Sequence, residues 1–110
     1  MEEALLKKYL PMTETIYYTL LSVIEPRHGY AIMQHVGELT KGRIALGTGT
    51  LYTMTGRLVT DGLIVAAMNE EGKKAYHITE TGMELLLRET TRLEQQLKDG
   101  RYVLEGVKKR

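Results

Sequence analysis

At 110 residues, with 43% apolar and 26% charged residues, the chain has the composition of one folded domain and too much apolar surface for disorder. The absence of cysteine excludes disulfides, thiolate metal sites and cysteine nucleophiles. A net charge of +1 names no partner, so any case for an anionic one rests on where the charges lie.

The opening MEEALLKKYLP places acids where a secretory leader carries bases, and no run nears the roughly 18 apolar residues of a membrane span. A cytoplasmic protein with no membrane partner is expected. Leu5, Leu6, Tyr9 and Leu10 fall at helical spacing until Pro11 interrupts them. A second helix starts at Thr13, a hydroxyl N-cap, and carries Ile16, Leu20 and Ile24, with Tyr17 and Leu21 beside them, up to Pro26. His28 to Leu39 repeats the pattern with Ile32, Val36 and Leu39, and Thr40-Lys41-Gly42 closes it. Arg43–Leu46 reads as an extended bridge. A fourth helix, capped at Gly47 or Thr48, buries Leu51, Met54 and Leu58 and ends at Asp61-Gly62, a glycine C-cap.

The period then changes. Leu63–Met68 and Lys74–Ile78 read as strands around the polar turn Asn69–Lys73, a hairpin. Thr79 caps a last helix, in which Leu86, Thr90, Leu93 and Leu97 step by four, three and four, the spacing of a coiled-coil seam. Leu87, one position round, is expected to face the domain's core, and Asp99-Gly100 to break or kink the helix. Three helices, a hairpin and a long helix are the order of a winged helix-turn-helix: a mostly α fold with a small β-hairpin and an added C-terminal helix. The expected division is a winged helix-turn-helix domain with its N-terminal helix over 1–82 and a C-terminal helix over 83–110.

Three strings sharpen this reading: His28-Gly29-Tyr30, then Gly49-Thr50-Leu51-Tyr52 running through Arg57-Leu58 to Asp61-Gly62-Leu63-Ile64, then Gly72-Lys73-Lys74-Ala75-Tyr76 through Thr79-Glu80-Thr81-Gly82. Together, over about residues 12–87, the chain resembles the PadR family of transcriptional regulators, in its compact subgroup with one C-terminal helix. The resemblance implies a homodimeric repressor that binds double-stranded DNA. The Gly49-to-Asp61 helix would then enter the major groove, the Lys73-Lys74 hairpin would touch the flanking DNA, and the last helix would build the dimer. The chain departs from the family pattern at Val59, Thr55, Gly56 and Ala75, and Glu70 and Glu71 sit beside the wing lysines.

The residues support the same site on their own chemistry. Thr48, Gly49, Thr50, Tyr52, Thr53 and Arg57 make an acid-free, hydroxyl-rich helix, whose threonines can meet phosphates or base edges and pack methyls on thymine. Free amides at its N-terminus attract phosphate. Lys73 and Lys74 sit at a hairpin tip, and His28, Gly29 and Tyr30 stand nearby, Tyr30 expected mainly in the core. From Pro26 to Thr79 six basic residues face four acids, a modest excess. For the dimer, Leu5, Leu6 and Tyr9 would pack across the seam of Leu86, Thr90, Leu93 and Leu97.

An enzyme is not expected. His28 and His35 are seven residues apart, roughly 10 Å along a helix, too far to share a metal. Gly47-Thr48-Gly49-Thr50 lacks the lysine of a phosphate-binding loop, and no cofactor is implied. Two alternatives stay open: a winged-helix protein-interaction module with weak DNA binding, motivated by the wing acids and Gly56, and a regulator with a small-molecule effector at the dimer interface, near Tyr9 and Tyr102.

Overall fold

The structure, a computed structural model, describes residues 2–110. Its elements are α1 (Glu3–Tyr9), α2 (Glu14–Ser22), β1 (Arg27–His28), α3 (Gly29–Leu39), α4 (Thr48–Thr60), β2 (Ile64–Met68), β3 (Lys74–Ile78) and α5 (Glu80–Lys108). One antiparallel sheet has the order β1-β3-β2, pairing Ile64 with Ile78 on the wing and Arg27 with Tyr76 on the other edge of β3. A single core is filled from every layer: Ile16 and Leu20 of α2, Ile32 and Val36 of α3, Leu51 and Leu58 of α4, Leu63, Ile64, Tyr76 and Ile78 at the wing base, and Leu85 and Leu86 of α5.

The chain's own punctuation sets the boundaries. Thr13 accepts the Ile16 N–H, and Thr79 accepts the Gly82 N–H, so each helix start satisfies an otherwise free amide. At the end of α4, the Gly62 N–H reaches the Val59 carbonyl and the Leu63 N–H the Leu58 carbonyl, with Gly62 at φ +77°. That is a Schellman closure, which needs the left-handed conformation glycine adopts freely.

Several expectations are corrected. The second helix stops at Ser22, so Val23, not Ile24, enters the core, and Ile24 is exposed. Pro26 favours extended backbone before it, and the chain turns into β1, with Arg27 Nη1 donating to the Ser22 carbonyl at 2.6 Å. Arg43–Leu46 forms no strand. Ile44 and Leu46 pack on the core from a loop whose Ile44 N–H bonds Thr40 Oγ1, and the third strand is β1. Leu39, placed on the inner stripe of the third segment, is exposed at the last turn of α3.

The last helix runs unbroken through Gly100 and Gly106. One glycine costs a helix only about 1 kcal/mol, and Gln95 bridges to Asp99 across that turn. Its rotational phase also differs from the reading above: Leu86 is buried with Leu85, and Leu87 is 60% exposed. The phase is set at Gly82, where a Cβ would stand 2.1 Å from the Leu63 carbonyl oxygen, so only glycine lets the helix lie this close. From there the inward face runs Gly82, Leu85, Leu86 and Glu89.

Candidate nucleic-acid interface

The exposed face of α4 has a simple origin. Leu51, Met54, Thr55 and Leu58 turn to the core, and this leaves Thr48, Gly49, Thr50, Tyr52, Thr53, Gly56, Arg57, Val59 and Thr60 outward. Thr55, polar in the core, is satisfied by donating to the Tyr52 carbonyl at 3.3 Å. The N-cap Gly47 supplies no side-chain acceptor, so the first amides of α4 stay available to an anion. Thr50, Thr53 and Arg57 line one side of an open cleft of about 560 Å³, and Thr13, the cap of α2, and Thr15 within it line the other.

The His28-Gly29-Tyr30 string divides by role. Gly29 is buried under Tyr52, where a Cβ would come within 2.9 Å of the Tyr52 hydroxyl, so its part is to seat α4's tyrosine against the start of α3. Tyr30 is not in the core; it is 68% exposed, because the inward positions of α3 are Gly29, Ile32 and Val36. Half-exposed Tyr52 stands beside this end of α3. His28 lies in β1, its Nδ1 3.3 Å from the Lys74 carbonyl and its Nε2 3.5 Å from the Asn69 amide.

On the wing, Lys73 and Lys74 are exposed, with Lys73 Nζ 3.8 Å from Glu71. The turn is organised by Asn69, whose Oδ1 accepts the N–H groups of Glu71 and Lys73, both at 2.9 Å. Asn69 opens the polar turn expected between the two strands, and an Asn at the head of a glycine-containing turn is suited to these bonds.

The acid that ends α4 is paired within the chain. Asp61 Oδ2 accepts a hydrogen bond from the Tyr9 hydroxyl and lies 2.7 Å from Lys8 Nζ. Lys8, and then Tyr9, hold the Asp61 carboxyl below the usual carboxylate range. Burial, helped by Asp61, pushes the Tyr9 hydroxyl up to about 12. Nothing local links residues so far apart in the chain, so this cluster was not readable.

The residues expected to make a dimer separate into two groups. Tyr9, 2% exposed, and Leu86 are in the protomer's own core and cannot line an open seam. Thr90 is half-buried and shares a 2.7 Å hydrogen bond with Tyr17. Leu5, Leu6 and Leu93 are half-buried and Leu97 is exposed. Also unforeseen is Glu89, fully buried on α5 and held by Arg92, whose Nε and Nη2 donate to its two oxygens at 2.6 and 2.8 Å. Among the described residues no group of three or more His, Asp or Glu side chains is placed to hold a metal ion.

A helix-turn-helix whose second helix is exposed, flanked by a hairpin with lysines at its tip, defines a winged-helix DNA-binding protein of transcription regulation. The chain belongs to the PadR-like family of transcriptional regulators, whose family model matches residues 19–88. Among solved structures, a transcriptional regulator from Clostridium thermocellum shares 21% identity over 91% of this chain and 97% of that one, with a TM-score of 0.71. A PadR family regulator from Eggerthella lenta shares 29% identity over 82% and 80%, with a TM-score of 0.65. A PadR family regulator from Clostridium difficile shares 24% over 81% and 97%, with a TM-score of 0.67. No curated protein matches the chain.

Proposed function

We propose that the protein is a sequence-specific repressor acting as a homodimer, with α4 in the major groove and the wing on the flanking backbone. The observation that supports the reading most is the outward face of α4: from Thr48 to Thr60 it carries threonines, glycines, Tyr52, Val59 and one charge, Arg57. A helix without acids meets no repulsion from phosphates, and short hydroxyl and methyl groups suit close approach to base edges. Thr13 and Thr15 line the cleft beside Thr50, Thr53 and Arg57, and His28 lies next to the exposed wing lysines, which are the further candidates for backbone contact. The 1–82 unit would carry this site and the 83–110 helix the dimer contact.

The dimer is supported by the outer part of α5. Leu93, Leu97, Gly100, Leu104 and Val107 continue a seam stepping by four, three, four and three, and Leu97, Leu104 and Val107 are exposed. A bare leucine forgoes roughly 1.5–3 kcal/mol relative to burial, and a partner helix is the simplest cover. A two-fold protein would prefer a near-palindrome with half-sites about 34 Å apart.

Selection from random duplex DNA tests this. An enriched near-palindrome, bound with strong salt dependence, is expected. Changing Lys73 and Lys74 together to Ala should weaken binding to all duplexes by roughly tenfold and lower the salt slope by about two, whereas changing Thr50 or Thr53 should alter base preference. A second reading, a protein-interaction module, is favoured by β2, where Val65 and Met68 lie exposed on an edge strand without a charge between Ile64 and Met68. That reading takes over if no duplex is enriched and none binds at low salt.

A further inference from the structure

We propose that Tyr9 is a positioning residue for DNA recognition, fixing the end of the recognition helix through Asp61 and carrying Arg57 on its ring. The proposal rests on the DNA-binding reading of α4. Its starting point is that α4 is soft by composition: Gly49 and Gly56 both lie inside it, and neither has an atom within 4 Å of where a Cβ would stand. Glycine is the weakest helix former after proline, and neither glycine recovers that loss by packing within the chain. A soft helix loses order on entering a groove unless something outside it holds its frame.

That hold comes from α1. Asp61 is the C-cap residue of α4, its N–H bonded to the Arg57 carbonyl at 3.0 Å. A carboxylate at a helix C-terminus opposes the helix dipole, so its value there comes from the groups it binds. Those groups are adjacent residues of α1, the Tyr9 hydroxyl and the Lys8 ammonium, both on Oδ2. Tyr9 is itself buried, 2% exposed. The Arg57 guanidinium lies 5.8 Å from the centre of the Tyr9 ring, within range of a cation–π attraction, and Arg57 is the one charged side chain on the outward face of α4. One residue outside the helix-turn-helix thus holds both the last turn of the reading helix and its charged side chain.

The consequence falls on discrimination more than on bulk affinity. Non-specific binding comes from phosphates meeting lysines and arginines wherever these lie. Specific binding needs α4 in one pose, and a frayed end must be ordered at the moment of binding.

The test uses the intact protein, the selected operator and a random duplex of equal length. In Tyr9→Phe the ring stays under Arg57 and only the bond to Asp61 goes; Tyr9→Leu removes both links. Expected is a roughly tenfold fall in operator affinity for Tyr9→Phe, the energy of one hydrogen bond, and a larger fall for Tyr9→Leu, with random-duplex affinity within twofold of wild type. Asp61→Ala leaves the Tyr9 ring under Arg57 and removes the acceptor of its hydroxyl together with the Lys8 pair. It should lose at least as much discrimination as Tyr9→Phe, and it stands in for Tyr9→Phe if that variant fails to fold. Faster amide exchange at Gly62 and Leu63 in the free variant, measured without DNA, should accompany the loss. If operator and random affinities fall together, or the operator-to-random ratio stays at the wild-type value, the positioning role is overturned while DNA binding stands. If wild type discriminates no duplex, the DNA-binding reading itself falls.

Discussion

Helix α5 contains two regions of one regular helix with opposite fates. Its first three turns send Gly82, Leu85, Leu86 and Glu89 into the core, closing against the wing base and α2. Beyond Arg92 the same helix continues to Lys108 with Leu97, Tyr102, Val103, Leu104 and Val107 all exposed. Leucine content does not distinguish them. The difference lies in what stands opposite: near Gly82 the Leu63 carbonyl and Ile78 press on the helix, while at Gly100 nothing comes within 4 Å. Helical conformation therefore follows from propensity along the whole length, whereas burial is conferred by neighbours, and the outer half lacks them in the single chain.

The comparison can be broken most severely at Leu85. Leu85→Ala removes a fully buried side chain and should cost about 3 kcal/mol in chemical denaturation, at any protein concentration. The matched change Leu97→Ala should instead shift stability only where the protein is dimeric, seen as a concentration-dependent melting temperature. A uniform loss from Leu97→Ala at high dilution would mean that the outer half packs on its own domain.

Truncation after Arg92 comes next. It keeps the Glu89–Arg92 pair and the Thr90–Tyr17 bond while removing the bare seam. A folded monomer is expected, with operator affinity reduced about 100-fold, or ~2.7 kcal/mol, since each half-site is then held alone. Sedimentation and DNA titration check both parts, and an intact protein that already sediments as a monomer at micromolar concentration removes the dimer from the account.

The smallest effect compares two glycines. Gly100→Ala should stabilise the helix by roughly 1 kcal/mol if its face is open; a loss of dimer affinity instead would mean that a partner backbone approaches there as Leu63 approaches Gly82. Gly82→Ala has no such freedom, because the added carbon meets a backbone oxygen, and thermal melting should show a clear loss.

Tyr9 also sharpens a pH dependence. Its hydroxyl is pushed up to about 12 in the folded protein, against about 10 for an unfolded tyrosine. The unfolded chain ionises first, so stability is unchanged below about 10 and declines between there and about 12. Tyr9→Phe should flatten that alkaline decline in a denaturation series.

Local chemistry made much of this protein legible. The caps at Thr13 and Thr79, the glycine closure at Asp61-Gly62, the hairpin around Asn69–Lys73 and the inward triad Leu51, Met54 and Leu58 all follow from interactions within a few residues, which sequence spacing records directly. So does the acid-free face of α4, since alternation along a helix names its outward positions once the apolar ones are known. Tertiary structure alone decided the remainder. The strand at Arg27–His28 exists because β3 has an edge to pair with, Tyr9 is inside because Asp61 waits for its hydroxyl, and Leu86 is buried in place of Leu87 because Gly82 fixes the rotation of α5 against Leu63. Glu89 is buried because the same rotation turns it inward, where Arg92, one turn on, satisfies both of its oxygens. In each case the energy comes from a group distant in sequence or from an angle of rotation, and a heptad pattern says which residues share a face of a helix without saying which face meets its own domain.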